Sequence, residues 1–218
     1  MPNWRRNHWP LAIAFALIAG AATAQEALSC GGGTIPASVR AAADEVNRAR
    51  TDPQGYAKHV AAHFATLQGN RYQANGTTIV LREGRRAVEE AIRFLDRQPP
   101  LPALPLSACL SAAAADHVAQ QGPTGGFGHR GADGAGPGDR VARRTDGTAY
   151  CGENIAYGPG DPRAVVIQLI VDDGVANRGH RRNIFDPRFR SLGVASGPHA
   201  KMRAMTVQVF CFNEVRGR

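Results

Sequence analysis

Met202-Arg203-Ala204-Met205-Thr206-Val207-Gln208-Val209-Phe210-Cys211-Phe212 alternates in the manner of a β-strand, with Met205, Val207, Val209 and Cys211 on one face. Ser191 to Ser196 reads as a second strand of the same kind. Upstream, apolar residues recur at helical spacing instead. Pro36 to Arg50 carries Val39, Ala42, Ala43, Val46 and Ala49. Thr51-Asp52-Pro53 reads as a stop and a capped restart, with Tyr56, Val60 and Phe64 behind it. Arg85 to Asp96 carries Val88, Ile92 and Leu95, and Ser107 can cap a helix running to about Gln121. Helices combined with antiparallel strands indicate an α+β sandwich.

The N-terminus reads as an export signal. Arg5 and Arg6 form a positive start, Leu11 to Ala19 a short apolar core, and Ala22-Thr23-Ala24 a small-residue cleavage site. That core is too short for a transmembrane anchor, which needs about twenty apolar residues. Cleavage after Ala24 leaves one domain, residues 25–218, in the periplasm or outside the cell. Four cysteines in an oxidising compartment favour two disulfides. Three pairings are possible. The preferred one joins Cys151, just before the Glu153 turn, to Cys211 at the end of a strand, leaving Cys30 with Cys109.

The full chain has 26 Lys and Arg against 18 Asp and Glu, and removal of Arg5 and Arg6 leaves a formal +6. Only Lys58 and Lys201 are lysines. The basic residues are scattered and not interleaved with aromatics, which argues against nucleic-acid binding and for a solvated arginine-rich surface.

Asn75-Gly76 marks a hairpin turn before Thr77-Thr78-Ile79-Val80-Leu81. Pro99-Pro100-Leu101-Pro102-Ala103-Leu104-Pro105 forces an extended connection. Together they mark residues 64–105 as an accessory insertion and joint. Eight glycines between Gly122 and Gly138 surround His129, so no regular element is expected there. The apolar helix from Arg163 to Asp173 puts Val166, Leu169, Ile170 and Asp173 on one face, directing Asp173 inward. There it meets a cation, a metal or a strong donor, or pairs with Arg178.

Gly128-His129, Gly152-Glu153-Asn154-Ile155-Ala156, and Gly179-His180-Arg181-Arg182-Asn183-Ile184-Phe185-Asp186-Pro187 followed by Leu192-Gly193-Val194 form a combination of high specificity. In it the chain resembles the CAP superfamily (cysteine-rich secretory, antigen 5, pathogenesis-related 1; the SCP-like domain) in its bacterial secreted form. Asn47-Arg48-Ala49-Arg50-Thr51-Asp52-Pro53 resembles that family's opening helix. The resemblance implies a three-layer α-β-α sandwich with an antiparallel sheet. It also implies a cleft lined by His129, Glu153, Asp173 and His180; in some members of that family the two histidines bind Zn2+ or another divalent metal, which is the expectation here. Asp173 stands where the family usually has glutamate.

Two functions follow as expectations. The first is a secreted binding domain whose cleft holds a metal, or a small envelope, lipid or peptide ligand. The alternative is a metal-dependent hydrolase or peptidase, with Glu153 or Asp173 as the candidate catalytic base beside an ion on His129 and His180. Neither an H-E-x-x-H helix nor a G-x-S-x-G elbow is present. The sequence does not specify an oligomeric state.

Overall fold

The computed structural model describes residues 30, 35–74, 76–146, 150–158 and 160–213. The export signal and its cleavage site lie outside the described residues. Strands β3 (Cys151–Tyr157), β4 (Ser191–His199) and β5 (Arg203–Cys211) form an antiparallel sheet in the order β3-β5-β4. The central position of β5 explains its composition, because both its faces are covered. Met205, Val207, Val209 and Cys211 pack with Leu110, Ala113 and Ala114 of α4 (Ala108–Thr124) and Val141 of α5 (Pro137–Arg144). Phe210 packs on the other side, in the larger core.

That larger core is built on α1 (Ala37–Thr51), α2 (Pro53–His63), α3 (Arg85–Arg97), α6 (Pro162–Val171) and α7 (Gly179–Ile184). The result is a three-layer α-β-α sandwich. Helix α6 is buried on nearly every side, from Val165 to Val171, as expected of a helix apolar all round. On the opposite face α4 lies so close to β4 that a Cβ on Gly193 would overlap the Leu110 carbonyl carbon.

Local signals act where the sequence places them. The Asp52 carboxylate accepts from Gly55 N–H at 2.9 Å and caps α2, and the Ser107 hydroxyl accepts from Leu110 N–H at 3.3 Å and caps α4. Strands β1 (Arg71–Ala74) and β2 (Thr77–Val80) pair antiparallel as the expected hairpin, Asn75 lying outside the described residues. Leu67, Tyr72, Leu81, Ala87, Val88, Ala91 and Leu95, all between residues 64 and 105, join the same core as α1 and α6.

The proline connection is pinned by α1. Asn47 donates to Leu104 O at 2.9 Å and accepts from Leu104 N–H at 2.8 Å, and Arg50 donates to Pro102 O and to Ile184 O. Burial lowers the Arg50 pKa to about 10. The connection ends alongside β4, where Ser107 N–H donates to Leu192 O at 2.8 Å and Leu192 N–H to Pro105 O at 3.0 Å. Cys151 and Cys211 face each other across β3 and β5 and are bonded, as are Cys30 and Cys109.

Two elements depart from the sequence reading. Helix α5 begins on the last two residues of the stretch expected to be irregular and runs beyond it, because Pro137 occupies an initial helical position and Asp139 accepts from Gly136 N–H at 2.8 Å. Helix α6 ends at Val171, two residues short of Asp173, and Asp172 turns into the left-handed region with φ 54°. The second departure rearranges the site.

Candidate functional site

Glu153 on β3 is the centre of the first half of the site, and its side chain is 1% exposed. Arg140 of α5, equally buried, donates to its Oε2 at 2.7 Å, and His129 Nδ1 lies 2.9 Å from its Oε1. The same guanidinium donates to His129 O at 3.1 and 3.2 Å and to Ala135 O at 2.9 Å. One buried arginine therefore neutralises the carboxylate and fixes the backbone of the histidine loop. A buried carboxylate demands such a partner.

Gly128 sets the approach of that loop. Its φ of 93° is a conformation that a side chain would strain. Its N–H donates to the Tyr157 hydroxyl at 2.9 Å, and its carbonyl accepts from Gln121 at 2.9 Å and lies 2.9 Å from His117 Nε2. Tyr157 in turn donates to Gln121 Oε1 at 2.6 Å. His117 is fully buried, and desolvation holds its pKa below the usual imidazole value, so it serves as a neutral strut.

The second half comes from the other helical layer. His180 Nδ1 lies 2.6 Å from Asp172 Oδ1, and His180 N–H donates to Asp172 Oδ2 at 2.9 Å. Asp172, not Asp173, is thus the partner of His180. The expectation for Asp173 assumed a helix continuing through it. The left-handed turn at Asp172 exchanges the two side chains, so Asp172 is 3% exposed while Asp173 faces the insertion. There its carboxylate accepts from Arg82 N–H at 2.6 Å and Glu83 N–H at 2.8 Å. Asp173 anchors a loop; it does not line the cleft.

The turn between Asp172 and His180 is braced by Arg178, also left-handed at φ 49°. Arg178 donates to both carboxylate oxygens of Glu83, to Glu90 of α3 and to Asp172 O. Hydrogen bonds from Arg178 lower the pKa of Glu83 and of Glu90 to about 2. Helix α7 is fastened to β3 by Asn183 Nδ2 donating to Asn154 Oδ1 at 2.8 Å, and Asn154 Nδ2 donates to His180 O at 3.1 Å.

Consecutive strand residues point to opposite faces. Glu153 and Asn154 therefore tie one histidine from each helical layer to the outer strand β3. Each histidine turns Nδ1 to a buried carboxylate and leaves Nε2 without a hydrogen-bond partner among the described residues. A metal-ligating histidine takes this arrangement, its second nitrogen held by a carboxylate. The donor set fits a divalent ion in a limited way. Both carboxylates are already engaged, and among the described residues no group of three or more His, Cys, Asp or Glu could hold a metal. Among the described residues of the site, the nitrogens left over for an ion are Nε2 of His129 and of His180. Sequence reasoning missed Arg140, Asp172 and His117; the need of a buried Glu153 for a counter-charge was the available signal for the first.

Two histidine–carboxylate pairs tied to the outer strand of an α-β-α sandwich are the setting for a CAP-type domain. The profile of the cysteine-rich secretory protein (CAP) family matches residues 43–212, and the chain belongs to that family. Among solved structures it is similar to an extracellular SCP-domain protein of Bacillus anthracis, at 24% identity and a TM-score of 0.41, over 51% of this chain and 34% of that one. It is also similar to an outer surface protein of Borrelia burgdorferi, at 16% identity and a TM-score of 0.44, over 52% of this chain and 80% of that one. The chain thus spans about a third of the Bacillus protein. No curated protein matches it significantly. The two disulfides accord with an exported protein, and among the described residues no helix is long and apolar enough to cross a membrane.

Proposed function

We propose that the chain is an exported binding domain whose cleft takes a divalent cation, zinc first, on Nε2 of His129 and of His180. The supporting observation is the like anchoring of the two rings, each held through Nδ1 by a buried carboxylate with Nε2 left over. Imidazole suits zinc and also copper and nickel. When bound, such an ion supplies Lewis acidity to an oxygen-bearing ligand. The chain's own contribution is orientation: Arg140 pairs with Glu153 and holds the His129 backbone, and Asn154 and Asn183 hold His180.

Binding is favoured over hydrolysis by the ligand set. Catalytic zinc usually keeps three protein ligands, and Glu153, the remaining candidate base, is already occupied by Arg140 and His129. Titration calorimetry with zinc at neutral pH, on the tag-free mature protein and on His129→Ala and His180→Ala, tests the reading. Loss of affinity in both variants is expected. Equal affinities, or no binding to any of the three, would overturn it.

A further inference from the structure

Next to the His129 loop, the β4–β5 hairpin tip and the end of α4 carry an apolar surface with a basic rim. A groove of about 350 Å³ runs between Val118, Ala119 and Pro123 on one side and Pro198 and Ala200 on the other. Beside it Phe127 is 56% exposed and Met202 39% exposed, so large apolar side chains adjoin the groove. Lys201 and Arg203, on either side of Met202, are exposed, with Lys201 Nζ 5.8 Å from the centre of the Phe127 ring, and Arg130, three residues after Phe127, is exposed and donates to Gly134 O at 3.0 Å.

No acidic residue occurs in 117–132 or 187–213. The acids just before and after the first stretch are occupied, Asp116 by Arg144 at 2.5 Å and Asp133 by Arg143 at 2.8 Å.

The surface is held rigidly. Ala200 N–H donates to Gly122 O at 2.9 Å, and Met202 N–H donates to His199 Nδ1 at 3.1 Å. With Nδ1 accepting, His199 Nε2–H donates to Gly126 O at 2.8 Å. Phe127 stands edge-on to Tyr157 and tilted against His199, with ring centres 4.9 and 5.2 Å apart. Its exposed position is therefore set by packing and needs no rearrangement to engage a partner.

We propose that this tip docks on an anionic phospholipid bilayer, with Phe127 and Met202 entering the headgroup boundary and Lys201, Arg203 and Arg130 meeting lipid phosphates. Apolar side chains set among cations match the interface of such a bilayer, where aromatic rings and basic side chains are both favoured. A second copy of the chain is a poorer occupant, because a self-complementary contact would oppose the same cations with no acid to answer them. The proposal does not rest on metal binding.

Co-sedimentation of the mature protein with phosphatidylglycerol–phosphatidylcholine vesicles and with pure phosphatidylcholine vesicles tests it. Binding is expected only to the anionic vesicles, weakening as salt rises. A basic side chain near an anionic surface is worth about 1 kcal/mol, or roughly fivefold, so Lys201→Gln/Arg203→Gln is expected to lower the affinity about 25-fold. Phe127→Ser should weaken it as well. Arg40→Gln/Arg71→Gln removes the same charge from exposed positions elsewhere and is expected to change it less than about threefold. Equal loss in the two double variants, equal binding to both vesicle types, or no vesicle binding would overturn the proposal. Unchanged melting temperatures of the variants exclude unfolding as the cause.

Discussion

Replacing Arg140 by methionine is the sharpest test of how the cleft is held. The change leaves a comparable apolar volume but removes four hydrogen bonds, one to Glu153, two to His129 O and one to Ala135 O. It also leaves the Glu153 carboxylate, 1% exposed, without its cation. Breaking one side of a buried ion pair costs about 3–5 kcal/mol, because the remaining charge is uncompensated. For a chain of this size each kcal/mol lowers the melting temperature by about 2–4 °C, so a fall of about 6–20 °C is expected. The double variant Arg140→Met/Glu153→Gln removes the orphaned charge and should regain a substantial part of that loss, a coupling of at least about 1 kcal/mol. Calorimetric melting with both disulfides intact measures all four corners of the cycle. A single variant that melts within about 2 °C of wild type, or strictly additive effects, would refute the claim that Arg140 and Glu153 act as one buried unit.

Asp172→Ala should weaken zinc binding about 10–100-fold by releasing His180, whereas Asp173→Ala should leave zinc affinity within about twofold and lower stability by about 1–3 kcal/mol; the reverse pattern in paired titrations and melts would restore Asp173 to the cleft. Gly193→Ala drives a Cβ into the α4 backbone and should destabilise by at least about 2 kcal/mol in urea unfolding, and a near-neutral result would contradict the packing of α4 on β4. Glu83 and Glu90 ionise more readily in the folded chain than at their ordinary pKa of 4.5, so the stability they supply is complete above that pH and is lost as pH falls toward 2. Glu83→Gln/Glu90→Gln should flatten that part of the stability–pH curve, and an unchanged slope would count against the Arg178 brace.

The layers were legible in the sequence because their signals are local. Alternation on 202–212, the Asp52-Pro53 and Ser107 caps and the Asn-Gly turn each specify an element without reference to the rest of the chain. Glu153, His129 and His180 were legible through the family resemblance, and the structure pairs each histidine with a carboxylate. The identity of the second acid was not legible. Val171-Asp172-Asp173-Gly174 offers two adjacent aspartates, and a single left-handed residue decides which one turns inward. Asp enters that region more readily than most residues, but either position could have done so. Arg140 was hidden for a different reason. In an arginine-rich chain a buried arginine has no local mark, and only the tertiary demand of Glu153 distinguishes it from Arg143 and Arg144, which pair with acids at the surface.

The seating of the proline connection on β4 affects more than the path of the chain. A three-stranded sheet has two rims, and an exposed rim is a template on which a foreign strand can polymerise. Here the carbonyl of Leu192 accepts from Ser107 N–H and its amide donates to Pro105 O, and the next inward amide, Val194 N–H, donates to the Ser111 hydroxyl at 3.1 Å. Prolines at 99, 100, 102 and 105 lack the donor needed to extend the ladder outward, so the segment that closes this rim cannot itself recruit a further strand. Protection of that side of the sheet is thus carried by chain that is synthesised before β4 but reaches its seat only when β4 exists. Closing this rim requires both segments, residues 105–107 and β4, to be in place together.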